Sequence, residues 1–135
     1  MKAACFALIL LTGAAQAADL AVIVNPKAGV DTLSPEQIAN LFLGKATSFP
    51  GGAAATPVNQ NEGALREEFS NKVLKKDGNG VKAHWAKMQF TGKGSPPKEV
   101  GGSGDVKKFV AGNPGAIGYV EKGAVDGSVK VVGTF

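Results

Sequence analysis

An α/β layer fold, a mixed sheet flanked by helices, is what this 135-residue chain predicts. Three observations carry the prediction. Short continuous apolar runs of strand length occur at Leu20–Val24 and Ala116–Val120. Between them lie segments whose apolar residues recur every three or four positions, the period of a helix packed on one face. Glycine, proline and asparagine clusters punctuate the boundaries, so elements of the two periods alternate as they do in layered α/β folds.

The first run, Leu20-Ala21-Val22-Ile23-Val24, is closed by Asn25-Pro26 and reads as a strand buried on both faces, as in a parallel sheet. The next element has its start and stop written into the sequence. Ser34 is a capping residue, Pro35 suits the first helical position, and Gln37 completes a capping box. Leu33 and Ile38 occupy the positions of a hydrophobic staple. Ile38, Leu41 and Phe42 share one face, and Gly44 is placed for a left-handed end.

Phe49-Pro50-Gly51-Gly52 is a turn, and Thr56–Asn59 reads as a short strand entering the loop 60–63. Leu65, Phe69 and Val73 then define a second helix that stops at Asp77-Gly78-Asn79-Gly80. Val81, His84, Trp85 and Met88 define a third. Residues 91–104, rich in glycine, proline and lysine, read as an exposed loop. Ser103 is placed to cap a fourth helix with the apolar face Val106, Phe109 and Val110, and Ala116–Val120 and Val129–Val132 read as closing strands. The expected order is β-α-β-α-α-α-β-β.

The N-terminal residues read as an export signal. Lys2 supplies the positive end, Phe6–Leu11 an apolar run too short to span a bilayer, and Ala15-Gln16-Ala17 a small-x-small cleavage site. Residues 1–17 are thus expected to be a signal peptide and 18–135 a single domain. Cys5 is the only cysteine and falls inside the signal, so the exported domain carries no disulfide or thiolate metal site, consistent with a bacterial periplasm. No further stretch is long enough to span a membrane. The net charge of +4 comes almost wholly from scattered lysines, which excludes the clustered stripe of a nucleic-acid binder and leaves a weak attraction for anions.

Candidate chemistry concentrates at Asn59–Arg66. A strand enters a polar glycine-containing loop and a helix begins directly after it, an arrangement whose free N–H groups and dipole favour anions. Arg66 is the only arginine in the chain and sits in that first helical turn. It can grip a carboxylate or phosphate with paired bonds, or face solvent as an ordinary helix residue. Glu62, Glu67 and Glu68 oppose an anion. Trp85 and Phe90 are expected to pack in the core, and Tyr119 to turn its hydroxyl toward a cleft or solvent. His84 has no nucleophile motif or second histidine beside it. No catalytic group, metal site or cofactor is therefore expected.

The blocks Leu33-Ser34-Pro35-Glu36-Gln37-Ile38-Ala39-Asn40-Leu41-Phe42-Leu43-Gly44-Lys45 and Pro114-Gly115-Ala116-Ile117-Gly118-Tyr119-Val120, in this order and spacing, resemble those of the phosphate-type periplasmic solute-binding proteins of ABC transporters. The resemblance implies a periplasmic-binding-protein-like layer fold, as a single lobe or a reduced two-lobe form. It covers nearly all of residues 18–135 but only the later part of a full-length binding protein, whose two lobes close on the ligand. Aligned on Phe69, the family's phosphate-wrapping Ser-Gly-Thr triplet falls on Gly63, Ala64 and Leu65, its arginine on Asn59 and its aspartate on Asn61. Every ligand side chain is replaced, and the backbone N–H groups remain.

The leading expectation is a non-enzymatic periplasmic binding protein. It would take a small anion such as phosphate at Asn59, Asn61, Gly63, Ala64, Leu65 and Arg66, with Asn25 and Ser34 contributing and an ABC transporter membrane component as partner. The alternative is an envelope interaction or adaptor protein. Its fold would leave an apolar face covered by a second copy, as a homodimer, or by another protein.

Overall fold

The computed structural model describes residues 20–61 and 63–135. The signal-peptide expectation, residues 1–17, lies outside them. Five strands form one mixed sheet in the order β3-β2-β4-β1-β5. They are β1 (Leu20–Val24), β2 (Thr56–Gln60), β3 (Lys98–Val100), β4 (Ala116–Glu121) and β5 (Lys130–Thr134). The helices are α1 (Pro35–Phe42), α2 (Ala64–Phe69), α3 (Gly78–Phe90) and α4 (Ser103–Gly112). A π-helical turn, Ser70–Leu74, prolongs α2.

Alternation along the central strands divides the core in two. Leu20, Val22, Val24, Ile117 and Tyr119 face α1, α2 and α3, where they meet Ile38, Leu41, Phe42, Phe69, Val73 and Trp85. Ala21, Ile23, Ala116 and Val120 face the other way, with Val58, toward Val106 and Val110 of α4. Every residue of β1 is buried, as its apolar run requires. Its direction differs from the expectation, because β1 pairs antiparallel with both β4 and β5. A continuous apolar run reports burial on two faces, and helices over both sides supply that whichever way the neighbours run. The parallel part of the sheet is β3-β2-β4.

Helix α1 forms as its sequence specifies. Ser34 Oγ accepts from the Gln37 N–H at 3.1 Å, and Gln37 Oε1 accepts from the Ser34 N–H at 2.8 Å. Gly44 follows the helix at φ 76°, where a Cβ would lie 2.8 Å from the Trp85 ring. The loop before α1 closes the outer edge of β5: the Leu33 N–H donates to Val132 O at 3.1 Å, and Lys130 pairs with Asp31. The loop thus occupies part of an edge that would otherwise be open to strand pairing.

Four local expectations are corrected. The second helix ends at Leu74, where Lys75 turns left-handed at φ 59°. Asp77 instead begins α3, its Oδ1 accepting from the Gly80 N–H at 2.7 Å. Residues 91–104 contain β3, whose three residues are too few and too polar to show a strand period. Ser103 does not cap α4. Gly102 stands at the cap, and Ser103 Oγ accepts from the Glu121 N–H at 3.2 Å and from Gln60 Nε2 at 3.3 Å. Phe90 is 92% exposed at the end of α3, whereas Trp85 packs in the core. Phe90 is the only large hydrophobic side chain exposed among the described residues, so the open apolar face expected of an interaction module is not found there. Among the same residues no helix is long and apolar enough to cross a membrane.

Candidate functional site

Strand β2 delivers the chain to the site. Val58 turns toward α4, so Asn59 turns to the face covered by α2, and it is buried there. The chain then reaches Gly63, whose φ of 117° is open to glycine at little cost. Helix α2 starts at Ala64 with no side-chain cap. The first N–H groups of a helix have no intrahelical partner, so those of Ala64, Leu65 and Arg66 are the donors this end presents.

Arg66 fixes the loop from below. Its Nη1 donates to Gln60 O at 3.0 Å, to Asn61 O at 2.7 Å and to Glu99 Oε2 at 3.1 Å. The Asn61 N–H donates to Val100 O at 2.9 Å, tying the same loop to β3. The guanidinium therefore neither faces solvent as an ordinary surface arginine nor stands open toward a ligand through Nη1. It joins the loop carbonyls to a carboxylate on the edge strand. Glu99 pairs with Asn59 in the β2–β3 register, which puts both side chains on one face of the sheet.

Behind the loop lies a buried polar cluster. Asn59 Oδ1 accepts from the Gln60 N–H at 2.9 Å and from the Tyr119 hydroxyl. Gln60 Nε2 donates to Tyr119 O at 3.1 Å. The Tyr119 ring stacks on Phe69 at 4.0 Å and 7°, and Phe69 meets Phe42 edge-on at 4.7 Å. The hydroxyl thus points into the cluster and not to a cleft or solvent. Burial pushes it up to about 12 from an ordinary 10.0, more than the Gln60 backbone bond lowers it.

The unfolded chain begins to ionise its tyrosine near pH 10, and the folded chain only near 12. Stability is therefore full below 10 and falls as the pH rises through that window. Tyr119 is the only tyrosine, so tyrosinate absorbance reads it alone. The expected titration midpoint is near 12, and Tyr119→Phe flattens the alkaline loss of stability. A midpoint near 10 in the folded protein would contradict the burial argument.

Two expected site residues lie elsewhere. Asn25 follows β1 beside Ile117 at the start of β4, whereas Asn59 and Gln60 end β2, which runs parallel to β4. Asn25 is therefore at the opposite end of the sheet. Its Nδ2 donates to Val110 O at 2.9 Å and Ala111 O at 3.0 Å, and its Oδ1 accepts from the Lys27 N–H at 2.8 Å. Ser34 is spent on the α1 capping box. The structure gathers Asn59, Asn61, Gly63, Ala64, Leu65 and Arg66 and adds Gln60, Glu99 and Tyr119. Glu99 carried no signal, because its strand was hidden in a stretch with loop composition. Tyr119 carried one only in the strand motif.

No family model matches the chain. A curated relative, the phosphate-binding protein PstS of Bacillus subtilis, is 30% identical over 103 residues, covering 75% of this chain and 30% of that protein. Among solved structures, one assigned as a phosphate ABC transporter substrate-binding protein with bound phosphate, from Clostridium perfringens, is 28% identical with a TM-score of 0.65. It matches 84% of this chain and 43% of its own. PstS from Borrelia burgdorferi, at 15% identity and a TM-score of 0.64 over 84% of this chain and 46% of its own, shows the same fold. The chain spans less than half the length of each of these proteins. It is a short relative of the phosphate-type substrate-binding proteins of ABC transporters.

Proposed function

We propose that this chain is a periplasmic solute-binding protein that takes a small, phosphate-like oxyanion at the β2–α2 loop and serves ABC-type uptake. The observation that carries the reading is the start of α2. It opens at Gly63 without a side-chain cap among the described residues, a few residues after the strand, and the first N–H groups of a helix have no partner within it. The names of the relatives support it, one of them with phosphate bound. In this reading Ala64, Leu65 and Arg66 give backbone donors, Gly63 and Asn61 shape the loop, and Asn59 contributes its amide from behind. Arg66 acts as a positioning residue through the loop carbonyls. A membrane component of an ABC transporter is the proposed partner, and no catalytic role is proposed.

The test is thermal unfolding of the exported chain in a concentration series of phosphate, sulfate, molybdate and small carboxylates. A ligand that binds only the folded state raises the melting temperature once its concentration passes its dissociation constant. A saturable rise with an oxyanion is expected. Flat melting temperatures with all of them would overturn the reading.

A further inference from the structure

We infer that the outer face of α3 is a membrane-surface site, at which Phe90 enters the lipid interface and Lys82, Lys87 and Lys93 meet anionic headgroups.

The face is defined by what the helix leaves unburied. Val81 and Trp85 turn inward, and Met88 packs against the same core. Phe90 follows Trp85 by five residues, about 140° further round the helix, so it projects away from the sheet. Its ring is 92% exposed. Ala83, Ala86 and Lys87 share that side and Lys82 flanks it, all of them exposed. The short alanines let a flat surface come close to the helix, and the long lysine stems carry their charges sideways to its headgroups.

The charge of this stretch is one-sided. Residues 78–98 contain four lysines and neither an aspartate nor a glutamate. Lys98 belongs to the other face of the sheet, where its Nζ lies over the Phe109 ring. Lys82, Lys87 and Lys93 are exposed and form no ion pair with a carboxylate among the described residues. Glu67 does approach α3, since a Cβ on Gly78 would lie 3.3 Å from its Oε2. Gly78 begins the helix, however, and Phe90 ends it about 18 Å away. The segment after Phe90 lines a cleft with Thr56 and Pro57, at the start of β2, whereas Glu62 follows the far end of that strand.

An isolated exposed ring is ordinary on a protein surface. Its place among unpaired lysines, in a stretch without a carboxylate, is what gives it a partner. A protein partner would need a broad packed surface depleted of lysine, and one projecting ring beside alanines and lysines offers little of that. A fluid interface needs only an apolar anchor and mobile positive charges. Each is weak alone, and the two together hold a protein on anionic lipid.

The experiment is co-sedimentation of the exported chain with vesicles at neutral pH and low salt, where screening is weak. One set is phosphatidylcholine alone and the other carries one part phosphatidylglycerol to two of phosphatidylcholine. The anionic vesicles are expected to bind at least about tenfold more protein at equal lipid, and the excess to vanish at high salt. Phe90→Ala is expected to weaken that binding about tenfold, through the lost apolar anchor. Lys87→Gln with Lys93→Gln is expected to weaken it by at least about tenfold. The control is Lys108→Gln with Lys122→Gln, on α4 and in the turn packed beside it, which removes the same charge and is expected to leave binding near wild type. Absence of binding to the anionic vesicles would overturn the inference, as would Phe90→Ala binding like wild type. An equal loss in the control pair would also overturn it, since net charge alone would then suffice. Self-association abolished by Phe90→Ala, without vesicle binding, would overturn it and give the face to a second copy of the chain.

Discussion

Phe69→Ala lowers the stability of this protein by about 3–5 kcal/mol, the expectation for a fully buried aromatic ring cut back to a methyl group. Phe69 has no solvent exposure. It is the last residue of α2, where its ring touches Phe42 of α1 on one side and Tyr119 of β4 on the other. Three elements thus meet through one side chain. The neighbours cannot easily close the gap, because the Tyr119 hydroxyl is bonded to Asn59 and that end of the ring is anchored. The cost therefore contains the lost burial and most of the cavity term. Urea unfolding checks it: the midpoint falls while the slope stays at its wild-type value. Phe69→Leu fills part of the space and is expected to lose about half as much. Losses below about 1 kcal/mol for Phe69→Ala would mean that the aromatic cluster does not join α2 to the sheet in solution.

How much of this was legible in the sequence depended on where the determinants lay. Helix α1 was readable because its stop and start signals are local: Ser34, Pro35, Gln37 and Gly44 act within a few residues of themselves. The two-sided burial of β1 was readable for the same reason, since it is a property of five consecutive side chains. Its direction was not, because pairing with β4 and β5 is fixed by residues far along the chain, such as Glu121 opposite Leu20 and Thr134 opposite Ala21. Strand β3 was lost because Lys98, Glu99 and Val100 form a strand only by adding to β2. That loss carried over to the site. Arg66 could be named as a first-turn arginine, but the carboxylate facing it sits on the unread strand. Asn59 could be named by alignment, while its partner Tyr119 could not, because that contact crosses two strands. Asn25 and Ser34 look like site residues in a linear reading, since each stands at an element boundary. In three dimensions each spends its side chain on backbone groups, Ser34 on its own helix start and Asn25 on the end of α4 and on Lys27.

The glycine of the strand motif has a packing reason, and it gives the second large effect. Gly118 lies in the middle of β4, opposite Ile23 of β1 and under α4. A Cβ there would come 2.5 Å from Val106 Cγ1, 2.9 Å from Val58 Cγ1 and 3.5 Å from Val110 Cγ2. Two of the three distances are closer than real carbon contacts, so α4 would have to lift from the sheet or the valines leave their rotamers. Gly118→Val is expected to cost about 3 kcal/mol, and Gly118→Ala about 1–2 kcal/mol, measured by urea unfolding. A β-branched side chain favours strands, so propensity alone predicts the opposite sign for valine. Tertiary packing decides, because α4 approaches closely where a side chain is missing. The attribution to α4 is tested by adding Val106→Ala. Alone, that change opens a cavity and destabilises; combined with Gly118→Ala, it removes the closest clash. The pair is therefore expected to cost less than the two single changes together, by about 1 kcal/mol. Strict additivity would show that the glycine serves the backbone of β4 and not the seat of α4.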